Sequence, residues 1–282
     1  MSIIIWVVLL IICMISGYGF FELKMLRVKR YRIDDPAVPD SLKGKRIALL
    51  SDLHGIYHGK NNVRLFKKLK EEKPDYIVLS GDMINGRNDD EIKYAFRMIK
   101  KLKKFNVPVI YTFGNHEEKL RDIDLKSYRR LKRFAKKNII LLNNRAYCPD
   151  ENRKVAFVGL NLPLWMYHGH DGNGLIKRRT DLIVKKASVK DCYKILIAHD
   201  PEHIDKYAKS GYNVCLSGHI HGGIVYIPFI GGIVTPRFQM LYKRAKGCHK
   251  YENMTMIVSG GVGWHDIPLR LLNHPEIVMI EF

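Results

Sequence analysis

The stretch RIALLSDLHG (46–55) decides the fold, because a short apolar run leads directly into a polar cluster that holds Asp52 and His54. The same order recurs in DYIVLSGD (75–82) and in VPVIYTFGNHE (107–117). Short apolar runs bounded by glycine and polar residues are typical of buried β-strands. The sequence therefore predicts three strands, each followed at once by side chains that can do chemistry.

Segments with helical periodicity separate these strands, at 60–73 and 89–104. Strands that alternate with helices indicate βαβ units, and hence an α/β fold with a largely parallel sheet. A helix near 126–137 precedes further strand-like runs, of which 193–199 and 212–219 end in histidine. No internal repeat is present, so the chain is not a solenoid or an array.

Five strand-like runs in all lead into polar clusters of the kind that bind metal ions. In open α/β sheets, ligands bind beyond the carboxyl ends of the strands, so these clusters are expected to meet at one edge. The candidate residues are Asp52, His54, Asp82, Asn115, His116, His199, His219 and His221.

Without His116, this set offers two carboxylates, one carboxamide and four histidines, and no thiolate. Such mixed oxygen and nitrogen donors suit Mn, Fe or Zn better than a calcium cage or a thiolate zinc site. Seven ligands exceed the needs of one tetrahedral ion and fit two divalent ions that share a carboxylate. Paired ions stabilise the attacking and leaving oxygens of a displacement at phosphorus, and they lower the pKa of bound water so that hydroxide forms near neutral pH.

Each residue also has a structural interpretation when it is taken alone. Asp52 is a suitable helix N-cap, and Asp82 and Asn115 are common in turns. Caps and turns do not explain why all five clusters carry metal-ligand chemistry. The joint pattern therefore favours a metal site.

The chain resembles the calcineurin-like metallophosphoesterase superfamily over residues 45–225. The resemblance rests on five motifs in the superfamily's order, which are DLH (52–54), GD (81–82), GNHE (114–117), AH (198–199) and GHIH (218–221). The segment GVGWHDIPLRLLNHPEI (261–277) resembles the end of the membrane-anchored bacterial branch. The resemblance implies a four-layer αββα sandwich, in which two packed mixed β-sheets are flanked by helices.

The resemblance also implies a role for each candidate residue. Asp52, His54 and His221 would hold the first ion, and Asn115, His199 and His219 would hold the second. Asp82 would bridge the two ions. His116 would stabilise the developing charge on phosphorus or protonate the leaving oxygen.

The N-terminal segment, residues 1–21, has no charged side chain and includes an unbroken apolar run over 3–15. Its length suits a bilayer-spanning helix better than a cleaved signal peptide, which would have a basic start, or a core helix, which would have a polar face. The expected organisation is an anchor (1–21), a tether (22–44) and a catalytic domain (45–282). Basic residues after the span place that domain in the cytoplasm by the positive-inside rule, with the extracytoplasmic side as the alternative.

The composition limits the function classes. With 46% hydrophobic residues the chain is not disordered, and five scattered cysteines without a CxxC pair exclude a disulfide framework or a zinc ribbon. The net charge of +20 favours an anionic partner. A membrane lipid surface fits the anchor better than nucleic acid, because no basic motif interleaved with aromatics is present.

These observations predict a membrane-anchored phosphoesterase with two divalent ions that hydrolyses phosphodiester or pyrophosphate bonds. The anchor and the basic surface favour a lipid-linked substrate, and the resemblance points to molecules like UDP-diacylglucosamine. The alternatives are a nuclease or cyclic nucleotide phosphodiesterase on the same scaffold, and a non-catalytic membrane scaffold. No specific protein partner is inferred.

Overall fold

The computed structural model of the chain describes residues 2–87, 89–168, 174–187, 189–235, 239–264 and 267–282. The helices α1–α7 are Ser2–Glu22, Val63–Glu72, Asp89–Leu102, Asn115–Ile123, Leu125–Asn138, Leu175–Ala187 and Ile204–Lys209. Short 3-10 helices lie at Lys60–Asn62, Lys103–Phe105 and Leu164–His168. The strands β1–β15 are Arg27–Arg32, Arg46–Leu50, Tyr76–Leu79, Val109–Tyr111, Ile140–Leu141, Arg145–Tyr147, Val155–Leu160, Tyr193–Ala198, Val214–Ser217, Val225–Ile227, Gly231–Val234, Met240–Tyr242, Gly247–Tyr251, Met254–Val258 and Glu276–Glu281.

Two six-stranded mixed sheets form the centre of the protein. The first has the order β1-β15-β2-β3-β4-β5, in which β2 to β5 are parallel and β15 is antiparallel to β2. The second has the order β13-β14-β9-β8-β7-β6, with β14, β9, β8 and β7 parallel and the two edge strands antiparallel to their neighbours. Most neighbouring strands in both sheets are parallel, as expected, and the two mixed sheets implied by the resemblance are confirmed.

The central strands of both sheets bury both faces, and this produces the layers. In β2, Ile47 and Leu49 point between the sheets, where they join a core with Phe157 of β7. The alternate residues Ala48 and Leu50 pack instead against the helices α2, α3 and α5. Because successive side chains of a strand point to opposite faces, a short apolar strand can serve two cores at once. The outer face of the second sheet packs on α6 and α7 in the same way. The result is the four-layer αββα sandwich.

The N-terminal helix α1 projects from this sandwich. Over Ile3–Glu22 it has a mean hydropathy of 2.6, and only 6% of its apolar window is buried, so its length and composition allow it to cross a membrane. Its last turn contacts the body of the protein, because a Cβ atom at Gly19 would collide with Leu269. The helix thus contacts the sandwich at its C-terminal end.

The segment expected to be a tether contributes to the sandwich. Strand β1 pairs in parallel with β15, with Arg27 opposite Glu276. Ile33, Val38 and Leu42 are buried in the core between the sheets. The charged residues of RVKRYR hid this strand, since four of its six side chains are exposed and the other two, Val28 and Tyr31, are partly buried against the cores.

Candidate metal centre

All eight candidate residues lie beyond the carboxyl ends of strands, at one end of the sandwich. They follow β2 (Asp52, His54), β3 (Asp82), β4 (Asn115, His116), β8 (His199) and β9 (His219, His221). The first three strands belong to one sheet and the last two to the other, so the cluster forms where the two sheets meet. Asn115 and His219 are half-buried and the other six are buried.

Asp82 lies at the centre of the cluster. Its Oδ2 atom is 3.0 Å from Nε2 of His199, which comes from the opposite sheet. The same oxygen is 3.9 Å from Nε2 of His116 and 4.0 Å from Nε2 of His54. Ligand atoms held about 2.1 Å from an ion at tetrahedral angles are about 3.4 Å apart, so these separations suit shared cations.

A second group of ligand atoms surrounds Asp52. Its Oδ1 atom is 3.4 Å from Nε2 of His221 and 3.9 Å from Nε2 of His54. The two histidine nitrogens are 3.1 Å apart. Two imidazole nitrogens this close need a proton or a cation between them, because neutral lone pairs repel each other. This group can therefore hold an ion of its own.

The ligand atoms form three overlapping sets, each with its atoms within 4.8 Å of one another. Asp52, His54 and His221 make one set, and Asp82, His199 and His219 make another. The third set joins His54 and Asp82 to His116, so the geometry also allows His116 to be a ligand. The resemblance did not imply this third set.

Asn115 begins α4 directly after β4, and its Oδ1 atom is buried without a hydrogen-bond partner in the described part of the chain. Leaving a buried acceptor unsatisfied costs about 1–3 kcal/mol. A divalent cation would satisfy this oxygen, and the donor chemistry of the whole site fits such ions.

The backbone at the site is strained. Asp52, His54, Asp82, His219 and His221 all have positive φ angles, of 53°, 48°, 53°, 74° and 57°. Non-glycine residues in this left-handed region cost about 1–3 kcal/mol each, and they persist only where the surrounding structure holds them. Other non-glycine residues also adopt this conformation, as Lys73 does at the end of α2, but five of them are concentrated at this one site. This concentration favours a functional role for the five residues.

Two histidines are oriented by backbone carbonyl groups. The Nδ1 atom of His199 lies 2.7 Å from the carbonyl oxygen of Ser80, and Nδ1 of His116 lies 2.9 Å from that of Asn85. A carbonyl oxygen only accepts, so Nδ1 carries the hydrogen in both rings. Their Nε2 atoms therefore face the cluster, which is the usual arrangement of a metal-binding histidine.

Close packing also shapes the site at Gly218. A Cβ atom there would collide with the side chains of Ser51 and Asp52. The glycine lets the loop after β9 approach the loop after β2, so the backbone N–H of His219 donates to both oxygens of Asp52 at 3.1 Å. These bonds fix the Asp52 carboxylate relative to the histidine loop.

The buried carboxylates create a strong demand for positive charge. Burial, together with repulsion from Asp82, raises the pKa of Asp52. Burial alone would also raise the pKa of Asp82, but His199 and His116 outweigh it and hold that pKa well below its usual range. Burial would lower the pKa of His199, yet the two carboxylates raise it to about 10. A divalent cation meets this demand more fully than a protonated imidazole.

Sequence reasoning gave no role to Glu117, a buried residue that holds the loops after β3 and β4 together by hydrogen bonds. Its two oxygens accept hydrogen bonds from the backbone N–H groups of Asp82, Met83 and Gly114, and from the hydroxyl of Tyr111. The pKa of Glu117 is raised, because burial and the nearby charge of Asp82 disfavour its ionised form. The hydrogen-bond donors lower this pKa and offset part of the effect. The local signal was incomplete, since Glu117 accepts from the N–H of the N-cap residue as in a capping box, but that residue is Gly114, which has no side chain to complete the motif.

The closing segment also supports the site. Asn273, fully buried, donates through Nδ2 to the carbonyl oxygen of His221 at 2.7 Å. The buried guanidinium of Arg270 donates to the carbonyl oxygen of Gly263, and burial lowers its pKa to about 10. No local pattern marks either residue as a partner of the site. Residues 265–266 of this segment lie outside the described residues.

Comparison with known proteins adds to this geometry. The model of the calcineurin-like phosphoesterase family matches residues 45–223. An uncharacterized metallophosphoesterase of Bacillus subtilis, YkuE, is 27% identical over 94% of this chain and 89% of its own length. An uncharacterized metallophosphoesterase of Aquifex aeolicus is 28% identical over 95% of each chain. A protein of Danio rerio named transmembrane protein with metallophosphoesterase domain is 23% identical over 96% of this chain and 61% of its own length.

Proposed function

Because this chain belongs to the calcineurin-like phosphoesterase family, we propose that it is a membrane-anchored enzyme acting on phosphodiester or pyrophosphate bonds of a lipid-linked substrate. Family membership and the His/Asp clusters make it a metal-dependent phosphoester hydrolase with two divalent ions as cofactors. Their identity is among Mn, Fe and Zn, which this donor set accepts.

We assign the ligands around a shared carboxylate. Asp52, His54 and His221 would hold one ion, Asn115, His199 and His219 the other, and Asp82 both. The observation that carries this assignment is the position of Asp82, whose Oδ2 lies within 4.0 Å of ring nitrogens from both sheets. The two ions would polarise phosphoryl oxygens and lower the pKa of a bound water. The protein's part is to fix the donors in place before substrate arrives, through strained backbone and carbonyl-oriented rings.

We propose that His116 stabilises the negative charge that develops on the phosphoryl group or protonates the leaving oxygen. Its Nδ1–H is held by the Asn85 carbonyl, and its Nε2 faces the cluster 3.9 Å from Asp82. A protonated Nε2 would donate a hydrogen bond to a phosphoryl oxygen or a proton to the leaving oxygen.

The proposed organisation follows the helix and the charges. Residues 1–21 would anchor the chain, 45–282 would form the catalytic domain, and 22–44 would connect them while contributing β1 to the sheet. The relative from Danio rerio that is named a transmembrane protein supports the anchor. Lys24, Arg27 and Lys29 directly follow the helix and favour a cytoplasmic domain by the positive-inside rule.

One experiment tests the proposed function. The purified full chain is analysed for bound metals and then assayed with Mn²⁺ on an aryl phosphodiester, an aryl phosphomonoester, single-stranded DNA and a lipid pyrophosphate. We expect two divalent ions per chain and a preference for the diester or the lipid pyrophosphate. A preference for DNA would replace the lipid-linked substrate with the nuclease alternative. A folded chain that binds metal and turns over none of the four would contradict the proposal.

A further inference from the structure

A cleft of about 650 Å³ lies beside the end of α1. None of the eight candidate metal-site residues lines it. Its walls come from β1, from the start of β13, and from the segments around 226–228 and 272–276. The cleft is thus a second concave site, and neither the metal centre nor the proposed mechanism uses it.

The cleft has an excess of positive charge. Arg27, Lys29 and Lys246 line it together with one carboxylate, Glu276. The Glu276 carboxylate is nearly buried and accepts a hydrogen bond from the backbone N–H of Gly260 at 2.8 Å. Arg27 and Lys29 are exposed, and among the described residues neither has a carboxylate within ion-pair distance. Both are therefore free to bind an external anion.

Lys246 lies deeper in the cleft. Its Nζ donates to Oδ1 of Asn273 at 2.8 Å and lies 4.3 Å from the centre of the Tyr226 ring. Across the described ranges, no carboxylate oxygen comes within 4.0 Å of this ammonium group, and burial lowers its pKa. Glu276 and Glu22 attract this ammonium group from farther away, but its direct contacts are neutral and it is largely removed from water, so an anionic ligand in the cleft would stabilise it.

The cleft is placed at the depth of lipid headgroups by its contacts with α1. Glu22, the last residue of that helix, accepts a hydrogen bond from the backbone N–H of Leu272 at 2.8 Å. Its other oxygen is 3.1 Å from Nδ1 of His274. Leu272 and His274 both line the cleft. If α1 spans the hydrocarbon core, a site tied to its last residue lies in the interface.

Apolar side chains stand at the rim of the cleft. Leu272 is exposed, and Phe229, which follows the lining residue Pro228, is fully exposed at 103%. Phe229 also has a φ angle of 70°, a conformation that is costly for a non-glycine residue. Exposed apolar residues beside basic ones are the pattern of a surface that enters the membrane interface.

We propose that this cleft binds the phosphate group of an anionic membrane lipid, with Arg27, Lys29 and Lys246 as its cationic partners. The inference rests on the membrane anchoring proposed above. The lipid would hold the sandwich against the bilayer on the side where Asn273 connects Lys246 to the loop of His221. The metal centre would then face lipid-linked substrates rather than the aqueous phase.

Native mass spectrometry of the full chain in a neutral maltoside detergent tests this proposal. Phosphatidylglycerol is titrated in, and the fraction of chains that carry one lipid is counted. Parallel titrations use phosphatidylcholine, which has no net charge, and inorganic phosphate, which has no acyl chain. The variant is Arg27→Gln with Lys29→Gln, and the matched control is Lys136→Gln with Lys137→Gln at the exposed end of α5.

We expect one retained phosphatidylglycerol and an affinity about 30-fold weaker in the cleft variant, from the loss of two basic residues near an anionic lipid. The control should bind as the unchanged chain does. Equal binding by the cleft variant would overturn the proposal, as would equal retention of phosphatidylcholine. Inorganic phosphate can also bind at the metal centre, so it counts against a lipid ligand only if its binding is weakened by the cleft substitutions as much as that of phosphatidylglycerol. Because lipid is counted by mass, a chain with no turnover still reports on the cleft, which separates this result from a failure of the proposed enzymatic function.

Discussion

Replacing Asp82 with asparagine tests the centre of the proposed site with the smallest change of shape. The substitution keeps the size of the side chain and removes its charge. Asp82 is buried at 1% exposure, and its Oδ2 lies between His199 at 3.0 Å and His116 and His54 at 3.9–4.0 Å. Asparagine would place either a neutral oxygen or an NH₂ group there, and the NH₂ group cannot bind a cation.

The size of the effect follows from burial. Removing one partner from a buried, charge-paired group costs about 3–5 kcal/mol, because the remaining charges lose their counter-charge in a poorly hydrated site. At about 1.4 kcal/mol per factor of ten, metal affinity should fall by about 10²–10⁴-fold. If Asp82 serves both ions, the variant should lose both together, and turnover should be abolished.

The assay is metal content after dialysis against a fixed free Mn²⁺ concentration, together with turnover of an aryl phosphodiester. Asp75→Asn is the matched control, because Asp75 precedes the same strand, β3, at the opposite edge of the sheet and pairs with Lys45 at 3.0 Å. That half-exposed pair is worth about 1 kcal/mol or less, and its loss should leave metal content unchanged. A variant Asp82→Asn with two bound ions and near-normal turnover would refute the bridging role.

Three further predictions address the residues around the metals. His116→Ala should slow turnover about 10²–10⁴-fold while both ions remain bound, as expected for a positioned proton donor; loss of one ion on metal analysis would instead make His116 a ligand. Glu117→Ala should lower the free energy of unfolding by about 3–6 kcal/mol in a denaturant titration, because the N–H groups of Asp82, Met83 and Gly114 lose their acceptor. Glu117→Gln keeps one acceptor oxygen, so its free energy of unfolding should fall by less than that of Glu117→Ala. Equal decreases in the two variants would contradict this account. Chelation should lower the free energy of unfolding by about 5 kcal/mol when each of the two ions had been present at about 100 times its Kd, reversibly on adding Mn²⁺; an unchanged melting temperature would show that the clusters hold no ion in the folded chain.

The strands before the metal site were predictable because their signal is local. RIALL, DYIVLS and VPVIYT are apolar runs between polar segments, and the structure has strands at β2, β3 and β4. Helix α4 was missed, since NHEEKLRDI has few apolar residues and its first turn reads as a ligand cluster. Helix α6 was missed as well, because the loop before it has no clear period. Strand β1 was missed because it is an edge strand rich in charge.

The sequence by itself determined which residue types would gather at the site. Each cluster follows a strand directly, and the carboxyl ends of parallel strands point the same way, so order along the chain is enough to predict convergence. Composition likewise determined the charge of +20 and the apolar N-terminal segment.

Only the tertiary structure decided how the two sheets face each other. Asp82 and His199 are 117 residues apart and come from different sheets, yet their ligand atoms lie at 3.0 Å. The contact from Asn273 to the carbonyl oxygen of His221, and the basic cleft at the end of α1, are likewise formed by segments distant in sequence. Periodicity records which face of an element is buried, whereas the partner that covers this face is selected by packing of the whole chain.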